Sequence, residues 1–143
     1  MKAIRHTGIV VSDLERALHF YVELLGLKVI KRMDESGEYI DKILGLKNVM
    51  VTTVKIAAED GTLIELLYYH SHPRKPARSR EIYETGISHI AFTVESVDAE
   101  CERLSKAGVP FNSPPQKSPD GSAKVTFFTD PEGNLIELTE MLN

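Results

Sequence analysis

Residues 60–66 read DGTLIEL, and residues 132–138 read EGNLIEL. Five of the seven positions are identical, and the first pair are both acids. A second recurrence lies upstream of each. Residues 6–14 read HTGIVVSDL and residues 89–97 read HIAFTVESV, and both open on histidine, alternate apolar residues and then reach a helix-start signal. The histidines are 83 residues apart and the glutamates of the LIEL stretches 72, so the first copy carries eleven more residues between its matched ends. Self-similarity of this kind marks a duplicated structural unit.

Each copy reads as β-α-β-β-β. Residues 4–11 alternate well enough for a strand. Ser12 or Asp13 supplies a side-chain oxygen for the free N–H groups of a first helical turn. Leu14, Ala17, Leu18, Tyr21 and Leu25 then recur at helical spacing, with Gly26 as the stop. Strands are expected near 27–33, 49–57 and 62–69. The second copy repeats the order: a strand near 87–94, a cap at Ser96, a helical stripe of Val97, Cys101, Leu104 and Gly108, and strands near 109–112, 122–129 and 134–140. Asp60-Gly61 and Glu132-Gly133-Asn134 are turn signals before the last strand of each copy. The fold class is therefore α+β, with module one at 1–72, a linker at 73–85 and module two at 86–143. Residues 34–48 are longer than a hairpin needs, and Tyr39 to Leu44 are expected as a short helix or a lid. Residues 70–80, HSHPRKPARSR, are broken by proline and strongly basic. They read as a solvated connector, or as an anion-binding strip over the site.

Composition narrows the function classes. The chain has 143 residues, 42% of them hydrophobic and 27% charged, as is usual for a globular protein. A net charge of −4 gives no basis for a nucleic-acid partner. No apolar run approaches the roughly 20 residues that span a bilayer, and MKAIRHTGIVV turns polar too soon for a secretory signal. With Cys101 as the only cysteine, an internal disulfide and a cysteine-built zinc site are excluded. A cytoplasmic location is expected.

The repeated His and Glu carry the chemistry. Side chains alternate between the faces of a strand, so His6 shares a face with Gly8 and Val10, while Ile9 and Val11 lie opposite and can pack under the helix. Glu65 shares a face with Leu63 and Leu67, and Glu137 has Ile136 and Leu138 on the other side. Each carboxylate thus sits inside an apolar strand, where an unpartnered glutamate is costly. His6, Glu65, His89 and Glu137, placed equivalently in two copies, solve that cost together if they surround a divalent cation. Imidazoles and carboxylates suit Ni, Co, Mn, Zn or Fe. Four protein ligands on a six-coordinate ion leave two positions for neighbouring oxygens of a small-molecule substrate, and the ion then acts as a Lewis acid.

With these residues in hand, the chain resembles the vicinal oxygen chelate superfamily, which includes glyoxalase I, methylmalonyl-CoA epimerase, extradiol dioxygenases and the bleomycin and fosfomycin resistance proteins. The resemblance covers nearly the whole chain. It rests on His6 with Val11-Ser12-Asp13-Leu14, on Phe20-Tyr21 with Leu25-Gly26-Leu27, on Gly86-Ile87-Ser88-His89-Ile90-Ala91-Phe92, and on Asp130-Pro131-Glu132-Gly133-Asn134 with Glu137-Leu138. It implies paired βαβββ modules forming a cupped mixed sheet around a metal site, with ligands from the first and last strand of each module. That matches His6, Glu65, His89 and Glu137. It also implies a homodimer, in some members with the site shared between chains.

Within the superfamily three readings compete. The first is a metal-dependent lyase, isomerase or epimerase that enolises a small carbonyl or thioester substrate, with Glu137 or Glu65 as the catalytic acid–base group. The resemblance to glyoxalase I lies in the two-His, two-Glu set. Bacterial glutathione-dependent members, however, carry an arginine where this chain has Val10 and an asparagine where it has Tyr69. Methylmalonyl-CoA epimerase resembles the second half, but its own catalytic glutamate falls in the region of residues 34–54, where Glu35 and Glu38 sit in a loop that does not align. The second reading is an Fe(II) extradiol-type ring-cleaving dioxygenase using His6, His89 and Glu137; Glu65 would occupy a position that chemistry wants open. The third is a non-enzymatic drug-binding protein, against which the complete ligand set argues. Tyr39, Tyr68 and Phe128 are candidate pocket walls or core residues. His70 and His72 are alternative ligands with no counterpart in the second copy.

Overall fold

A computed structural model describes residues 1–73 and 81–142. The basic stretch from 74 to 80, expected as connector or anion-binding strip, lies outside the described residues. The chain divides into two compact units, Met1–Pro76 and Ala77–Asn143.

The first unit contains β1 (Thr7–Val10), α1 (Leu14–Leu18), β2 (Lys28–Ser36), α2 (Glu38–Leu44), β3 (Met50–Ala57) and β4 (Leu63–Tyr69). Its sheet has the order β1-β4-β3-β2. β1 runs parallel to β4, and the other pairs are antiparallel. Asp13 is the helix cap, accepting from the Arg16 N–H at 3.0 Å. Past Leu18 the helix widens into a π-helical turn, His19–Leu24, in which the Leu25 N–H reaches the Phe20 carbonyl five residues back at 2.9 Å. The wider turn carries both Phe20 and Tyr21 into the core. The spacing read from the sequence included Tyr21 but not Phe20, and it put Leu18 and Leu25 on the same stripe, where they are only half-buried. Gly26, at φ 81°, then turns the chain into β2.

Two faces follow from the register. Val54 and Ile56 of β3 join Ile64 and Leu66 of β4 under α1, together with Ile9 and Val11 from the first strand, all of them buried. Val51, Thr53 and Lys55 share the opposite face with Glu65, Leu67 and Tyr69. α2 lies on that second face. Its one buried residue, Ile40, packs with Val49 and Val51 against Leu67 and Tyr69. The extra residues of the first copy are thus the longer β2 and the α2 that follows it. Glu35, expected in a loop, is inside β2 on this same face, where its carboxylate accepts from the buried Thr53 hydroxyl at 3.0 Å.

The second unit contains β5 (His89–Thr93), α3 (Val97–Lys106), β6 (Gln116–Lys117), β7 (Ala123–Thr129) and β8 (Leu135–Met141), with the order β5-β8-β7-β6. β5 is parallel to β8, as β1 is to β4. Ser96 caps α3 through the Ala99 N–H at 3.3 Å, and the Glu140 carboxylate accepts from Val97 N–H at 2.9 Å. Each of the two sheets is thus four-stranded and mixed, with the βαβββ order read from the repeat. One expected strand is displaced. Residues 109–112 form no strand; Phe111 makes a single bridge to Phe128, and the edge strand is the two residues Gln116–Lys117. Pro110, Pro114 and Pro115 remove three N–H donors from this stretch, so a continuous ladder cannot form there.

Candidate metal centre

In the first unit, β1 and β4 set Gly8 beside Glu65. His6, two residues before Gly8, therefore projects on the same face. Its Nε2 lies 3.3 Å from Glu65 Oε2. The other carboxylate oxygen, Oε1, faces the Lys55 ammonium at 3.5 Å, because Lys55 is the cross-strand partner of Glu65. The Glu65 side chain is 15% exposed. His6 Nδ1 is buried and has no hydrogen-bond partner. A Cβ at position 8 would stand 3.3 Å from Leu67 Cδ1, so glycine suits the close packing between β1 and β4 here.

The second unit repeats the arrangement. Ala91 is the partner of Glu137, and His89, two residues earlier, places Nε2 at 3.0 Å from Glu137 Oε2. Here the second carboxylate oxygen accepts from the Thr139 hydroxyl at 2.6 Å. His89 Nδ1 is 2.7 Å from the Ser88 hydroxyl. The cross-strand partner of Glu137 is Phe127, whose ring meets the His89 ring edge-on at a centroid distance of 5.5 Å. The two glutamates thus share one design, with Oε2 at a histidine and Oε1 on a donor. That donor is an ammonium in one copy and a hydroxyl in the other.

A ring nitrogen and a carboxylate oxygen at these distances need something positive between them, either the ring's own hydrogen or a cation. Two ligand atoms about 2.1 Å from one ion lie about 3.0 Å apart at a right angle and about 3.4 Å apart at the tetrahedral angle. The separations of 3.3 Å and 3.0 Å match that spacing, and a neutral imidazole plus a carboxylate is an ordinary divalent-metal donor pair. Each pair fits as half of a coordination sphere. Among the described residues no group of three or more His, Cys, Asp or Glu side chains comes together as a metal cage.

The sequence matches the Glyoxalase/Bleomycin resistance protein/Dioxygenase superfamily over residues 3–138. The chain belongs to this superfamily. Among its relatives is the uncharacterised Bacillus subtilis (strain 168) protein YwkD, 31% identical over 142 residues and covering 98% of each chain. The lactoylglutathione lyase of Haemophilus influenzae is 33% identical over 144 residues, covering 96% of this chain and 91% of the enzyme. Among solved structures, a glyoxalase family protein from Bacillus cereus superposes with a TM-score of 0.90 at 28% identity, over 100% of this chain and 96% of the other.

In this glyoxalase-superfamily chain the other candidate positions sort by strand parity. His70 falls on the face opposite Glu65, where Nε2 is 2.7 Å from the Thr52 hydroxyl. His72 Nδ1 is 2.8 Å from the Ser71 hydroxyl. Neither joins His6. Phe128 is fully buried and Tyr39 is 72% exposed, so neither walls a site beside the pairs; Tyr68 lies on the face away from Glu65. Val10 and Tyr69 do share the Glu65 face, the first exposed and the second packed against the α2 cluster. An open recess of about 690 Å³ runs along α2, lined by residues such as Gly37, Asp41 and Asn48, and contains neither His6 nor Glu65. Lys55, Ser88, Phe127 and Thr139 escaped the sequence reading. Each stands where the two copies carry different residues, so the repeat that located the glutamates gave no signal for them.

Proposed function

We propose that this protein is a divalent-metal-dependent lyase, isomerase or epimerase of the glyoxalase type, acting on a small carbonyl or thioester substrate. His6, Glu65, His89 and Glu137 hold one ion between them, of Ni, Co, Mn, Zn or Fe, in a homodimeric protein. The observation that carries this reading is the repetition of one His Nε2–Glu Oε2 contact, at ligand spacing, in both modules. The kinship with lactoylglutathione lyases supports the reaction type. Glutathione itself is disfavoured, because Val10 and Tyr69 offer no cation and no amide on the Glu65 face.

The bound ion supplies Lewis acidity, stabilising negative charge that develops on a substrate oxygen. The protein's own groups divide the remaining work. Ser88 orients the His89 ring through Nδ1, which keeps Nε2 aimed at the centre. Lys55 anchors Glu65 at Oε1, so Glu65 serves as the fixed carboxylate. Among the described residues, Glu137 is held at Oε1 by the rotatable hydroxyl of Thr139. It is therefore the carboxylate that could swing off the ion, and its released Oε2 would take a proton from the substrate carbon and return it, as general base and then general acid. Phe127 excludes water beside it.

Elemental analysis of the purified protein tests the reading. About one divalent ion per chain is expected in the wild type, lost or weakened in Glu65→Gln. Tight iron binding indifferent to Glu65→Gln would favour the three-ligand dioxygenase. No metal after reconstitution with manganese, cobalt, nickel, iron and zinc would overturn the reading and leave a binding protein.

A further inference from the structure

We propose that Lys55 is a substrate-selecting residue that makes the metal centre specific for short acids, compounds whose carboxylate lies beyond the oxygens that chelate the ion. The inference rests on the four-ligand reading above and names the substrate class for it.

Three observations lead there. First, the fold does not need a cation at this place. The equivalent position of the second module, across from Glu137, is Phe127. Second, Lys55 has a like-charged neighbour. In the register after the bulge between Val29 and Lys31, Lys31 is the cross-strand partner of Lys55 on the Glu65 face, while Arg32 points the other way, to Glu15. Like charges directly opposite across a ladder are unfavourable, unless an anion lies near both. Glu65 pairs with Lys55 at 3.5 Å, and no carboxylate of the described residues is placed between Lys55 and Lys31. Third, the charges do not balance once the centre is filled. Two carboxylates neutralise a divalent ion, and the histidines add nothing when neutral. Lys55, with its side chain 28% exposed, then leaves a net positive charge at a partly desolvated position. Its ammonium carries three donors, so it keeps Glu65 Oε1 and has hydrogens left for a ligand. An anionic group on the substrate completes the balance. The unit carrying His89 has no equivalent charge: its face presents Phe127, Val125 and Thr139 beside Glu137. The acid end of a substrate is thus read by Lys55.

The test uses manganese-loaded protein and two hydroxamates, which chelate through two neighbouring oxygens: succinic monohydroxamate, bearing a free carboxylate, and the uncharged propionohydroxamate. Affinities are read by titration calorimetry and by the relaxation of water protons at the manganese. The wild type should prefer the carboxylated probe by about tenfold, the size expected of one partly desolvated charge pair. Lys55→Gln should abolish the preference, read as the ratio of the two affinities within the same manganese-loaded variant. Lys55→Arg should retain it, and Lys31→Gln should reduce it by about twofold to threefold. A preference that survives in Lys55→Gln, or a manganese-loaded wild type that binds both probes equally, overturns the proposal and leaves the metal reading intact. Where manganese is not taken up, cobalt, nickel, iron or zinc replaces it with calorimetry alone, and a wild type that takes up none of the five fails both.

Discussion

In the turn between β6 and β7, the Asp120 carboxylate accepts from the Ser118 hydroxyl at 2.6 Å, from the Ser122 N–H at 3.1 Å and from the Ser122 hydroxyl at 2.9 Å. These donors favour the charged form, the Ser118 hydroxyl most, and hold its pKa down to about 2. A carboxyl depressed on folding adds stability that is fully present above its unfolded value near 3.8. That contribution is lost as pH falls through about 2. A carbon-detected titration should therefore place the Asp120 midpoint near 2, and Asp120→Asn should remove this group's share of the acid-side slope in stability. A midpoint in the ordinary carboxylate range would show that the turn is not held this way. The same rule, that the donor beside a carboxylate decides what it can do, separates Glu65 from Glu137. Nothing in the LIEL stretches distinguishes them; the difference comes from Lys55 across the ladder and from Thr139 two residues on.

At the scale of elements, α2 is seven residues long and buries one side chain. A helix this short does not persist alone. Ile40 pins it to the sheet, and Asp41 clasps the following loop by accepting from Asn48 and Val49 N–H at 2.9 and 2.8 Å. Truncating a buried Ile in a small cluster costs about 2 kcal/mol. Ile40→Ala should thus cost α2 and its loop about thirtyfold in amide-exchange protection, with the β3–β4 ladder unaffected. Protection unchanged over residues 38–46 would mean that something other than Ile40 holds the helix. The segment was legible as a short helix or lid because it is too long for a hairpin and apolar at Ile40 and Leu44. Seven of the eight strands were equally legible, since alternation in the sequence is the physical cause of a two-faced strand. The π-helical turn was not: its hydrogen bonds shift by one residue with no local residue type to announce it. The edge strand β6 was not legible, because the apolar Val109 and Phe111 pattern as a strand while the neighbouring prolines displace the pairing to Gln116–Lys117.

For the whole molecule, the duplication was readable from two short repeats, and it carried the βαβββ order and the equivalent placing of one histidine and one glutamate in each module. What remained hidden were the residues in which the copies differ, because a repeat signals only what is shared. If the two pairs hold one ion, manganese at a hundred times its Kd stabilises the protein by about 2.7 kcal/mol and raises Tm by roughly 8–10 °C. His6→Ala and His89→Ala should each abolish that shift in a thermal melt. A full shift surviving in either variant would show that the remaining pair binds the ion unaided.

The parallel pairing of the first and last strands has a consequence for biosynthesis. Thr7 meets Ile64, and His89 meets Leu135, so the opening strand of each module has no partner until the closing one has left the ribosome. The antiparallel β2–β3–β4 and β6–β7–β8 meanders can form from neighbouring segments first, since short loops close at lower entropic cost. Each histidine therefore reaches its glutamate in the last pairing step of its module. A nascent chain arrested before residue 64 or before residue 135 holds a histidine whose glutamate has not yet been made, so neither pair exists until its module is finished.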